Sequence, residues 1–219
     1  VVRGWMQESG LDLGIATTYS DRPGGTSAFR RLLDRLGQPL RRIERPLLED
    51  LARELTKTYA PLVESCLIGA SLQMPPAAYN ARRSQYDADL ILDRVLHRIT
   101  GENRVLALLT TDLYTSSHNL NFIFGQAQYP GRVALVSLCR LDPTFYGAQP
   151  NRKLFLRRAT KEAIHELGHT FGLGHCANPS CVMSFSNSIL DVDEKKPTFC
   201  KTCRRKLYRQ TTLAIHVCR

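Results

Sequence analysis

No apolar run in the chain approaches the roughly 18 residues that a helix needs to cross a bilayer, so no membrane partner is expected. The stretch of residues 1–14 carries Arg3, Glu8 and Asp12 among its apolar residues and lacks the long apolar middle of a secretory signal. The first residue is valine, not methionine, which leaves room for an earlier targeting segment. There is no internal repeat and no low-complexity tract, which sets aside repeat architectures. A disulfide framework is also missing. The seven cysteines (Cys66, Cys139, Cys176, Cys181, Cys200, Cys203 and Cys218) are an odd set, spread over a long chain. Four of them crowd between positions 176 and 203, a clustering that suits metal-binding thiolates. Thiolates imply a reducing compartment, hence the cytoplasm.

What is present is ample for a core. With 219 residues and 43% hydrophobic content, the chain can form one large domain or two small subdomains around a shared cleft. Its net charge of +10 favours acidic partners, either nucleic acid or acidic peptide. The basic residues are scattered from Arg30 and Arg31 through Arg157 and Arg158 to Arg209, which reads more simply as a basic, soluble surface. A monomer is expected.

Residues 1–39 are read as an N-terminal extension of unclear role, with a turn at Asp21 to Gly25 and a short helix at Ser27–Leu36. Beyond it the pattern alternates. Pro46–Tyr59 has helix spacing in Leu47, Leu48, Leu51 and Leu55, with Pro46 in the first turn. Leu62–Leu72 reads as a strand, Asp87–Ile99 as an amphipathic helix and Arg104–Thr110 as a strand. Asn121–Gln126 and Arg132–Cys139 read as two more strands, and Leu154–Leu167 as a helix. This order predicts an α/β (α+β) fold: a twisted mixed sheet with a backing helix and a site-bearing helix. Residues 172–200 look irregular, and Cys200–Val217 reads as a closing helix with Leu207, Leu213 and Val217 inward. The expected division is 1–39, 40–171 and 172–219.

Residues 165–175 read His-Glu-Leu-Gly-His-Thr-Phe-Gly-Leu-Gly-His. His165 and His169, four apart on a helix, lie on one face with Cβ atoms about 5–6 Å apart and can share one zinc ion. Glu166 is the next residue round the helix. It can reach the open side of the metal and take a proton from a bound water. Gly172 permits a sharp exit from the helix and Gly174 adds freedom before His175, the third ligand. Three imidazoles leave a fourth position for water, as in catalytic zinc sites.

Cys176, Cys181, Cys200 and Cys203 have zinc-ligand spacing: one pair with four intervening residues and one Cys-x-x-Cys pair. Four thiolates leave no place for water, so such a site is structural. Disulfides or free buried thiols are the alternatives. Cys139 is expected as a buried small hydrophobe. His97 is expected on the surface, and His118 on a loop that could reach the rim of a cleft. His216 needs no special role. The basic run of Lys201, Arg204, Arg205, Lys206 and Arg209 has only Tyr208 as a stacking partner, which favours a solvated helix face over a nucleic-acid site.

The eleven residues from His165 to His175 resemble the metzincin clan of zinc peptidases. The continuation through Cys176, Cys181, Val182, Met183, Cys200 and Cys203 resembles the archaemetzincin family. The resemblance implies a metzincin-like zincin fold and a metallopeptidase with one catalytic and one structural zinc. It implies that Met183 forms an apolar floor beneath the histidines and that Ser184 to Ser188 wall the pocket for a substrate side chain. It also suggests an extended peptide along the edge strand placed at Asn121–Gln126, held by main-chain hydrogen bonds. Cys66, within a strand, makes an unsuitable propeptide switch. The competing expectation is a non-catalytic, zinc-stabilised binding module for peptide or nucleic acid. An intact Glu166 argues against it.

Overall fold

The computed structural model describes residues 11–19, 43–99, 103–118 and 120–217. Its centre is a five-stranded sheet in the order β2-β1-β5-β8-β7, built from β1 (Leu11–Tyr19), β2 (Val63–Gln73), β5 (Arg104–Leu109), β7 (Gly125–Ala127) and β8 (Val133–Ser137). The first four in that order run parallel, and β7 closes one edge antiparallel to β8. A small second sheet joins β3 (Tyr79–Asn80), β4 (Gln85–Asp87) and β6 (Leu113–Tyr114). Part of the stretch read as an extension thus has a place inside the main sheet, at β1.

The apolar runs of β5 and β8 explain their central position. Leu106, Leu108, Ala134 and Val136 face one side; Ala107, Leu109, Val133 and Leu135 face the other. Strands buried on both faces need such continuous runs, because no face meets water. Helices α1 (Arg45–Tyr59) and α3 (Arg152–Thr170) cover the first side, and α2 (Ala88–Leu96) the second. Each helix starts where its sequence permits. Pro46 supplies the first turn of α1. Asp87 caps α2 by accepting from Asp89 N at 3.0 Å, and Asn151 caps α3 by accepting from Leu154 N at 2.9 Å. Leu51 and Leu55 are fully buried, each contributing about 2 kcal/mol through removal of apolar surface from water. Tyr59 fastens α1 to α3: its hydroxyl donates to Ile164 O at 2.6 Å, and its ring stacks on Phe171 at 5.2 Å.

The charged middle of α3 is buried by pairing. Arg158 binds both carboxylate oxygens of Asp193, and Lys161 Nζ donates to the carbonyls of Val192 and Asp193 at 2.7 and 2.9 Å. These contacts hold a short helix, α4 (Ile189–Glu194), which the sequence reading had merged into an irregular stretch. The closing helix α5 is Lys201–Val217, with Leu207 buried as expected. The helix expected at Ser27–Leu36 and Cys218 lie outside the described residues, as do the side chains of Leu213, His216 and Val217.

One expected strand moves. Residues 121–124 form no strand beyond a single bridge from Ile123 to Leu113; the edge strand is Gly125–Ala127. The displacement has a local cause. Arg83 donates to the carbonyls of Leu120 and Asn121, and Gln85 Nε2 to that of Asn121, so side chains fill acceptors a neighbouring strand would need. Phe122 and Phe124 pack edge to face at 5.3 Å. Among the described residues no helix is long and apolar enough to cross a membrane.

Candidate active site and cysteine cluster

Helix α3 brings His165 and His169 to one face at its C-terminal end. The helix terminates there in a defined way: Gly172 N donates to His169 O at 2.8 Å and Leu173 N to Gly168 O at 3.0 Å. This pair of bonds is the Schellman end, which requires a left-handed residue, and Gly172 has φ of 81°. The chain doubles back and carries His175 to the other two rings, with ring centroids 5.3 Å from His165 and 4.9 Å from His169.

The same turn orients the imidazoles. Leu173 O accepts from His169 Nδ1 at 2.7 Å and Val182 O accepts from His165 Nδ1 at 2.8 Å. With Nδ1 protonated, each Nε2 presents a lone pair, and the two Nε2 atoms stand 3.1 Å apart. One ligand nitrogen from each of the three histidines lies within 4.8 Å of the others. A tetrahedral zinc with Zn–N near 2.05 Å sets such nitrogens about 3.3 Å apart, so the donors present fit this ion. Burial pushes all three imidazole pKa values down, His169 to about 4, with the Lys195 charge adding to the effect. Neutral rings near pH 7 are metal-ready rings.

A cavity of about 480 Å³ opens beside the histidines and is lined by Glu162, Glu166, Gly125 and Phe185 among others. Glu166 is buried; desolvation, then the negative charge of Glu162, raise its pKa well above the usual carboxylate value. Gly125 on the edge strand makes room for it. A Cβ there would stand 2.6 Å from Glu166 Cγ, 2.8 Å from Cδ and 2.5 Å from Leu135 O. Met183 is fully buried, and its Sδ would lie 2.5 Å from a Cβ at Gly168, between the two helical histidines. Ser186 and Asn187 line the cavity with Phe185, and His118 does so as an exposed rim residue. His97 is exposed at the end of α2 and stands apart from the site.

The four cysteines converge as a second group. One sulfur from each of Cys176, Cys181, Cys200 and Cys203 lies within 4.8 Å of the rest, and Cys176 Sγ is 3.8 Å from Cys200 Sγ. A tetrahedral Zn–S distance near 2.3 Å gives an edge of about 3.8 Å, so these donors also fit zinc. Backbone N–H groups point at two sulfurs: Cys200 N donates to Cys181 Sγ at 3.3 Å and Cys203 N to Cys200 Sγ at 3.5 Å. The latter bond helps hold the Cys200 thiol pKa down at about 7. All described cysteines are free of disulfides. Cys139 is half-buried in a turn after β8 rather than fully buried in the strand, because the strand ends at Ser137. Cys66 is half-buried on β2, and burial pushes its thiol up to about 12.

Several residues around the site escaped the sequence reading. Glu162 had a legible signal, since it precedes Glu166 by one helical turn. Lys195, its partner at 2.8 Å, had none, because the pairing is long-range. Gly125 and Asp89 likewise depend on tertiary approach.

Residues 55–209 match the model of Peptidase family M54. The archaemetzincin of Methanocaldococcus jannaschii is 45% identical over 159 residues, covering 73% of this chain and 86% of the relative. The crystal structure of archaemetzincin from Methanopyrus kandleri superposes with a TM-score of 0.68 at 37% identity, covering 97% of this chain and 99% of that one. The archaemetzincin of Archaeoglobus fulgidus, solved in complex with malonate, gives 0.67 at 28% identity over 90% and 99%. Fold and relatives together define a zinc metallopeptidase, a hydrolase acting on peptides. Within that class, the chain belongs to peptidase family M54, the archaemetzincins.

Proposed function

We propose that the chain hydrolyses peptide bonds at a zinc ion held by His165, His169 and His175, with Glu166 as general base. The observation that carries this reading is the pair of Nδ1–H bonds to Val182 O and Leu173 O, which turn two Nε2 lone pairs toward one point. Zinc bound there supplies a Lewis acid that polarises a carbonyl and lowers the pKa of water. Glu166, buried beside that point and raised in pKa, takes the proton of the attacking water and passes it to the leaving amine. The peptide lies extended along β7 (Gly125–Ala127), the outermost strand of the main sheet, and adds to it through main-chain hydrogen bonds. Cys176, Cys181, Cys200 and Cys203 hold a second, structural zinc that ties residues 172–200 to α5. The metal count is then two per chain, and residues 172–219 act as a subdomain closing the site made by residues 40–171. Reduced cysteines at this site support a cytoplasmic setting.

The test is Glu166→Ala. Zinc content should stay at two per chain while kcat for peptide cleavage falls by about 10³-fold or more. A variant that cleaves as fast as the parent removes Glu166 from the mechanism.

A further inference from the structure

We propose that Glu162 selects the substrate side chain that enters the cavity, favouring one that ends in N–H donors, arginine or lysine. This rests on the hydrolytic reading of the same site.

Glu162 is 2% exposed, yet it lines the cavity one helical turn from Glu166. Its Oε1 stands 2.8 Å from Lys195 Nζ, and Lys195 is also 2% exposed. That contact is an ion pair of imperfect hydrogen-bond alignment, and no other donor reaches Oε1 among the described residues. A carboxylate accepts about four hydrogen bonds. A buried ion pair is stable only when its remaining lone pairs are filled, so Glu162 is left short of donors. Lys195 does not line the cavity; its Nζ faces Glu162 and, at 3.4 Å, Ser184 O. Of the pair, Glu162 is the member that lines the cavity. Ser186 Oγ, in another lining residue, is a second buried atom without a partner. Phe185, 50% exposed at the same cavity, gives an apolar face for the methylene stem of a long basic side chain.

The alternatives fare worse on the same chemistry. An apolar side chain would bring Glu162 no donor for its remaining lone pairs. An acidic one would set two carboxylates against each other in a desolvated space.

The experiment compares peptides carrying arginine, norleucine or glutamate at each position flanking the scissile bond. For zinc-loaded parent, kcat/KM should be highest for arginine at one such position, by about tenfold or more over norleucine, with glutamate lowest. In Glu162→Leu/Lys195→Met, which removes both charges together, arginine and norleucine should differ by less than about threefold. Glu162→Gln serves if that double variant does not fold, and it should narrow the same ratio. Affinities of the same peptides for Glu166→Ala give a readout without turnover. A parent that cleaves norleucine and arginine peptides equally overturns the selection while leaving hydrolysis intact. A parent that cleaves nothing overturns the hydrolytic reading, and the affinities on Glu166→Ala still decide this one: arginine above norleucine supports it, equality sinks it.

Discussion

The histidine group and the cysteine group are built within 39 residues of each other, from His165 to Cys203, and they solve opposite problems. The histidines are set by one helix and its glycine exit, and their open side faces a cavity of about 480 Å³. The cysteines come from a loop and the start of α5, with Cys181 and Cys203 buried. In the first group, backbone carbonyls orient two of the rings and the core of α3 holds them. In the second, the four sulfurs bring a segment of little regular structure against the start of the last helix. Ligands oriented by a rigid element suit chemistry, and ligands that bring loose chain together suit stability.

That contrast is broken most forcefully at the cysteines. Cys203→Ser should lose one zinc per chain and cost on the order of 5 kcal/mol, seen as a large drop in Tm. His169→Ala should also lose one zinc, yet lower Tm by only a few degrees relative to the zinc-loaded parent. Equal destabilisation by the two variants would erase the contrast between the two sites.

Gly125→Ala sharpens the comparison from the open side. Its Cβ would collide with Glu166 and with Leu135 O, so the carboxylate must move or the edge strand must shift. The expected result is a fall in kcat of about 10²-fold with both zinc ions retained, and a stability loss of about 1–3 kcal/mol. Gly172→Ala acts on the turn instead. Alanine at φ of 81° is strained, by about 1–2 kcal/mol, and the strain should appear as weaker zinc at the histidines alone, read by competition with a chelator.

How far the sequence carried these features depends on how local they are. The motif from His165 to His175 is legible because helix spacing and one glycine turn fix its geometry. The Cys-x-x-Cys pair is legible for the same reason. Strands β5 and β8 were readable as unbroken apolar runs. The helix α4 was not, because Ile189–Glu194 is short and held by Arg158 and Lys161, thirty or more residues away in sequence. The edge strand was misplaced by a few residues because Arg83 and Gln85 take up the carbonyls of Leu120 and Asn121, a competition no periodicity reveals. The role of Leu11–Tyr19 was hidden in a stretch whose pattern gives no sign of its neighbours in the sheet.

The smallest expected effect lies on the far wall of the open site, at Asp89. Its Oδ2 accepts from Thr115 Oγ1, from the backbone and hydroxyl of Ser116 and from those of Ser117, and its Oδ1 accepts from Gln126 Nε2. Thr115 and Gln126 both line the cavity, so this one carboxylate joins the loop above the cleft to the edge strand. Burial opposes its ionisation, but the bonds from Gln126, Thr115 and Ser117 prevail and hold its pKa at about 2. An unfolded aspartate titrates near 3.9, so the folded value is depressed. The stability Asp89 confers is therefore complete above about pH 4 and fades as the pH falls through about 2. Asp89→Asn should lower stability by about 1–2 kcal/mol at neutral pH and flatten the acid limb between pH about 4 and 2. Urea titrations of parent and variant across that window measure it. None of the four cysteines lines this cavity, so zinc content at them should not change. A variant whose acid limb follows that of the parent would mean that the loop is held by something other than this carboxylate.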